Sequence, residues 1–130
     1  MSKIVVLDDI PDAGILIKRV LKRSDREIEV FTEEEEFLEY IRSHAVDLAI
    51  LDIKLKKMSG VEVLEQLKII NPRIRAIMLT GYPTLETAGE ALRLGAAGYC
   101  TKPIDNDELE RVVAKVLTAR PESAGKGNIQ

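Results

Sequence analysis

The sequence predicts one α/β domain built on a parallel sheet. Two observations carry this: five short apolar runs recur along the 130 residues, and amphipathic helical patterns separate them, the signature of repeated βαβ units. The length agrees, being that of one domain with a single core.

In chain order, "KIVVL" (3–7) gives the first strand, and Ala13, Leu16, Ile17, Val20 and Leu21 recur at helical spacing to give the first helix. "EIEVF" (27–31) is the second strand; Ile28, Val30 and Thr32 alternate with Glu29 and Phe31, which suits a sheet edge. Phe37, Leu38 and Ile41 mark the second helix, "DLAIL" (47–51) the third strand, and Val63, Leu64, Leu67 and Ile70 the third helix. "RAIML" (75–79) is the fourth strand, followed by a helix on Leu85, Ala88, Ala91 and Leu92. "AGYCT" (97–101) is the fifth strand, and Leu109, Val112, Val113, Val116 and Leu117 mark the fifth helix. Every strand but the second reads as buried on both faces. Thr32 with Glu35, Ser59 with Glu62 and Asp105 with Glu108 have capping-box spacing for helix starts. The run Glu33 to Glu36 reads as acids complementing a helix dipole rather than as a metal site. The expected domain covers 1–119, and "RPESAGKGNIQ" (120–130) reads as a flexible tail or the start of a linker.

Composition narrows the function. A net charge of -3 and 4% aromatic residues argue against direct nucleic-acid binding by this domain. No apolar stretch reaches the roughly 18 residues of a membrane span and no secretory signal opens the chain, so no membrane contact is expected and the expected compartment is the cytoplasm. The single cysteine, Cys100, reads as a small buried hydrophobe, and His44 as an ordinary surface residue. Neither phosphate-cradling glycine motif occurs.

Parallel strands all point one way, so residues just past their C-terminal ends line one edge, where open α/β sheets bind ligands. That edge receives Asp8 and Asp9 after the first strand, Asp52 from the third, Thr80 after the fourth and Lys102 after the fifth. With strands in the flavodoxin-like order 2-1-3-4-5, the three carboxylates meet at the switch point of a three-layer sandwich. Clustered carboxylates repel, and burying them is costly unless a cation joins them. An all-oxygen donor set points to a hard ion, Mg²⁺ first, because it keeps waters and leaves room for a phosphate oxygen. Lys102 and the Thr80 hydroxyl then suit a phosphate, and the expected chemistry is phosphoryl transfer.

The pattern "DD" (8–9), Asp52 in "LAILDIKL", "LTG" (79–81) and "TKP" (101–103) resembles the receiver domain of bacterial two-component response regulators over about residues 3–118. The stretch 79–103 is especially similar to receivers that govern transcription-factor ATPases. The resemblance implies that Asp52 accepts a phosphoryl group from a sensor histidine kinase or phosphotransfer protein, a signalling module acting only on itself rather than an enzyme with a separate substrate. It implies that Asp9, Asp52 and the Lys54 backbone carbonyl ligate Mg²⁺ directly, with Asp8 acting through water. Lys102 would pair with the phosphate. Thr80, Tyr99 and Pro103, after a cis Lys102-Pro103 bond, would form the switch that alters the face of helix four, strand five and helix five. That face would meet an output domain or partner, or a second copy as a homodimer.

Two departures stand out. Lys56 occupies the position where the family pattern has proline, which implies a looser loop after Asp52. Lys54 and Tyr82, at the positions flanking the route of hydrolytic water, are bulky and are neither acids nor amides, which implies slow self-dephosphorylation. Gly89, inside the fourth helix, reads either as close packing on the sheet or as a device keeping that helix mobile. A haloacid-dehalogenase-type phosphatase is disfavoured, because Asp8 and Asp9 run into Ile10-Pro11 instead of D-x-D. A purely structural domain with a vestigial pocket would neither bind Mg²⁺ nor accept phosphate.

Overall fold

The structure, a computed structural model, describes residues 1–55 and 57–119. The Lys56 expectation and the tail 120–130 therefore lie outside the described residues. Strands β1 (Ser2–Leu7), β2 (Arg26–Phe31), β3 (Leu48–Asp52), β4 (Arg75–Thr80) and β5 (Gly98–Thr101) alternate with helices α1 (Pro11–Leu21), α2 (Glu34–Ser43), α3 (Gly60–Ile70), α4 (Leu85–Arg93) and α5 (Asn106–Thr118). All pairings are parallel and the order is β2-β1-β3-β4-β5.

Strand alternation sorts the core into two layers. Val5, Leu7, Ala49, Leu51, Ala76 and Met78 pack beneath α2, α3 and α4. Ile4, Val6, Leu48, Ile50, Ile77 and Leu79 pack beneath α1 and α5. The register pairs Ile4 with Leu48 and Val6 with Ile50. One further step of that alternation sets Asp8 beside Asp52, so the apolar row itself aims two acids at each other.

Several local expectations need correction. α2 starts at Glu34 behind Glu33, with no side-chain cap, so Thr32 and Glu35 form no capping box. Asp105 accepts from the Glu108 N–H and caps α5 without the reciprocal bond. Ser59 and Glu62 form a complete box, and so do Thr84 and Thr87, which carry no Glu or Gln signal. β5 is an edge strand, only partly buried, because it pairs with β4 alone and has no strand on its other side. Within α4 only Ala91 is buried, while Leu85 and Leu92 are 94% and 77% exposed. Leu16 is likewise exposed, and the α1 contact is made instead by Ile17, Leu21 and Gly14. A side chain at Gly89 would meet nothing within 4 Å, so close packing does not explain that glycine. Cys100 is half-buried, and burial, then Glu108, push its thiol pKa up.

Two glycines are required by geometry. Gly95 closes α4 at φ 88, with its N–H on the Leu92 carbonyl at 3.0 Å and Ala96 N–H on Ala91 at 2.9 Å, a left-handed helix end. Gly60 opens α3 under the backbone of the acid-bearing strand: a Cβ there would lie 2.1 Å from the Asp52 carbonyl oxygen and 2.7 Å from Ile53 Cα. Helix propensity alone favours alanine by about 1 kcal/mol, and the backbone collision opposes it. Gly60→Ala should destabilise by about 1–3 kcal/mol in urea unfolding, the usual cost of overpacking. A variant as stable as wild type or more so would refute the close approach.

Candidate functional site

The C-terminal edge of the sheet gathers the five strand-end residues. Asp8 is 1% exposed and Asp52 8%, while Asp9 is half-buried. One carboxylate oxygen from each of Asp8, Asp9 and Asp52 falls within a 4.8 Å cluster. The Lys102 ammonium donates to Asp8 Oδ2 at 2.9 Å and lies 3.7 Å from Asp52 Oδ2. Backbone N–H groups hold the acids in place: Ile10 donates to Asp8 Oδ1 at 3.0 Å and Lys54 to Asp52 Oδ1 at 3.3 Å.

The electrostatics follow from this crowding. Burial, then the Asp8 charge, push the Asp52 carboxyl above the usual range, against the opposing pull of Lys102 and the Lys54 N–H. Burial alone would lower Lys102, but Asp8 and Asp52 outweigh it and hold the ammonium above its ordinary value. Lys102 stays charged and, among the described residues, is the cation that contacts this anionic cluster. One ammonium cannot neutralise three carboxylates, and the donor set is all oxygen without His or Cys, so the residues fit a hard divalent ion.

Thr80 is fully buried, with its hydroxyl accepting from the Tyr82 N–H at 3.0 Å and its carbonyl accepting from the Lys102 N–H at 2.7 Å. Tyr99 stands one layer behind. Its hydroxyl pairs at 2.8 Å with Thr87 Oγ1, inside the capping box that starts α4. The strand carrying the candidate switch tyrosine is thereby tied to the helix beside it. The Lys102-Pro103 bond is cis.

A groove of about 430 Å³ opens next to Asp52, lined by Lys54, Met58, Glu62, Thr80, Tyr82 and Thr87 among others. Across it, the Lys54 ammonium sits 4.2 Å from the centre of the Tyr82 ring, a cation–π contact bridging the β3–α3 and β4–α4 loops. Sequence reading named both residues but not their contact, which joins two loops far apart in the chain. It also missed Gly60 and Glu34. Glu34 is 2% exposed, and its Oε2 accepts from Lys57 N–H at 2.9 Å and Met58 N–H at 3.3 Å. Its place within an acidic run hid it, since helix-start chemistry already accounted for the run. His44 stacks on Tyr40 at the distant end of α2.

Comparison with known proteins agrees with this geometry. The family described as the response regulator receiver domain matches residues 4–114. Transcriptional regulatory protein ZraR of Escherichia coli (strain K12) is 34% identical over 114 residues, 88% of this chain but 26% of that protein. Sporulation initiation phosphotransferase F of Bacillus subtilis (strain 168) is 32% identical over 116 residues, 89% of this chain and 94% of that protein. A CheY-like response regulator receiver domain protein from Methanospirillum hungatei JF-1 superposes with a TM-score of 0.82 at 33% identity, covering 89% of this chain and 94% of that one. With its fold, the strand-edge acids and the family match in agreement, the chain belongs to the response regulator receiver domains of two-component signalling.

Proposed function

We propose that this domain takes a phosphoryl group onto Asp52 and that the resulting charge shifts the α4, β5 and α5 face. The observation carrying this reading is the placement of Asp52 between two further carboxylates and the Lys102 ammonium. Asp8, Asp9, Asp52 and the Lys54 carbonyl would hold Mg²⁺. When bound, the ion supplies positive charge that offsets the repulsion between an anionic acceptor and an anionic phosphoryl group.

An Asp52 carboxylate oxygen then attacks phosphorus. The P–N bond of a phosphohistidine breaks, and its electron pair returns to the imidazole, which picks up a proton. Lys102 pairs with the incoming oxygens, and the Thr80 hydroxyl exchanges its bond with Tyr82 N–H for one with the phosphate. The modification adds nearly two negative charges, and each charge-assisted hydrogen bond contributes about 1.5–3 kcal/mol, enough to bias two near-balanced states. Movement of Thr80 would free Tyr99 to turn inward, breaking its bond to Thr87 and releasing the start of α4. α4 is suited to respond, having one buried side chain and two exposed leucines.

The donor is a sensor histidine kinase or a phosphotransfer protein. The receiver of the switch is an output domain, a partner protein or a second copy on the α4–β5–α5 face. Among the described residues no helix is long and apolar enough to cross a membrane, and we place the reaction in the cytoplasm with its kinase domain.

Incubation with acetyl phosphate and Mg²⁺ should add the mass of one phosphoryl group to the wild type, and Asp52→Ala should abolish the gain in intact-mass measurement. Labelling of that variant at the wild-type level would move the acceptor elsewhere.

Decay of the phosphorylated form should be slow, since bulky Lys54 and Tyr82 line the groove beside the site in contact with each other and neither is an acid or amide that would orient a water. Lys54→Asn and Tyr82→Glu should each speed hydrolysis by about tenfold, below the roughly hundredfold at which fully positioned proton-transfer groups begin. A wild type that decays faster than both variants would reject the shielding role.

A further inference from the structure

Glu34 is a buried carboxylate that the phosphoryl chemistry does not use. It is the first residue of α2, yet its side chain reaches across to the loop between β3 and α3, 23 and 24 residues on, and accepts from Lys57 N–H at 2.9 Å and Met58 N–H at 3.3 Å on the same oxygen. Burial pushes its carboxyl up, but the N–H groups of Lys57, of Glu34 itself and of Met58, with the Lys57 charge, outweigh it and hold the group below the usual carboxylate range. Lys57 Nζ lies 3.9 Å from Glu33 Oε1, a second but exposed contact between the loop and the same helix start.

This loop begins at the site. Lys54 N–H is bonded to Asp52 Oδ1 at 3.3 Å, and Gly60 N–H to the Ile53 carbonyl at 2.7 Å, which fixes both ends of the segment. Between those ends, Glu34 holds two loop N–H groups from a neighbouring helix. The buried carboxylate bonded to Lys57 and Met58 restrains these two residues from outside the loop.

We propose that Glu34 is a positioning residue: its carboxylate oxygen fixes the β3–α3 loop, and with it the Lys54 backbone carbonyl that completes the divalent-ion site of Asp8, Asp9 and Asp52. The inference rests on the reading of that cluster as a Mg²⁺ site. It differs from a helix-dipole role in one respect, because it depends on reach and an acceptor oxygen rather than on charge at the start of α2.

Substitutions separate the two. Glu34→Gln keeps the reach and the acceptor oxygen without the charge, whereas Glu34→Asp keeps the charge but is one methylene too short to span to Lys57. Mg²⁺ affinity, read from backbone amide shifts in an NMR titration, should stay close to wild type in Glu34→Gln. It should weaken about tenfold in Glu34→Asp and Glu34→Ala, the low end of the effect of residues that orient metal ligands. Ile41→Val, which perturbs the packing of the same helix away from the loop, should bind as wild type does. Glu34→Asp binding like wild type while Glu34→Gln weakens would overturn the inference in favour of the dipole. Wild-type affinity in both Glu34→Asp and Glu34→Ala would overturn it outright. Asp9→Asn tells the two levels apart: if that variant loses Mg²⁺ and the Glu34 variants do not, the metal site stands and only Glu34 is misassigned. A wild type without Mg²⁺-dependent shifts at the cluster overturns both readings.

Discussion

The rest of the molecule is organised around a repulsion. Asp8, Asp9 and Asp52 are brought within a few ångströms at the sheet edge, two of them almost wholly out of water, and among the described residues one ammonium group contacts them. Left alone, such a cluster costs stability, because burial and the Asp8 charge both disfavour the ionised Asp52 carboxyl. The fold bears the cost because the central strands β1, β3 and β4 are buried on both faces and their register is fixed by side chains well away from the edge. A one-residue slip between β1 and β3 would misalign the Ile4–Leu48 and Val6–Ile50 pairs and separate Asp8 from Asp52. Core packing and site geometry are therefore the same constraint read at two ends of the strands.

Rigidity is distributed unevenly about that edge. The β3–α3 loop is held by Gly60 under the Asp52 backbone, by the Ser59–Glu62 capping box and by Glu34 from α2. α4, in contrast, rests on one buried alanine and is joined to β5 by the Thr87–Tyr99 bond. Elements with few buried apolar contacts open first, at low free energy. The acid cluster is thus flanked by a loop with several restraining contacts on one side and by a helix with one buried side chain on the other.

The architecture was legible because its signals are local and periodic. Apolar runs ending in acids at Leu7-Asp8 and Leu51-Asp52 mark strand ends without any knowledge of pairing, and the edge-of-sheet rule then brings the acids together. Where the reading failed, polar or small residues had taken over the work. Leu85 and Leu92 have core-like spacing, yet the small residue Ala91 makes the buried contact of α4 and the leucines point outward. Thr84 and Thr87 cap each other without the expected Glu, and Thr32 caps nothing because α2 begins after Glu33. β5 is only Gly98, Tyr99, Cys100 and Thr101, a short run with no aliphatic side chain to signal which face is buried. Glu34 to Lys57, Lys54 to Tyr82 and Thr87 to Tyr99 are contacts between side chains or loops separated along the chain, and no periodicity encodes them.

The most direct test of the repulsion at the centre of this account is the stability of Asp52→Asn against wild type, with and without Mg²⁺. A carboxyl whose pKa is raised on folding is destabilising once pH exceeds that raised value, because the unfolded chain ionises it more readily. At neutral pH and without metal, Asp52→Asn should therefore melt higher than wild type. Mg²⁺ at about 100 times its dissociation constant should add about 2.7 kcal/mol to the wild type and markedly less to the variant, closing the gap. A metal-free variant no more stable than wild type, with both proteins responding equally to Mg²⁺, would contradict the account.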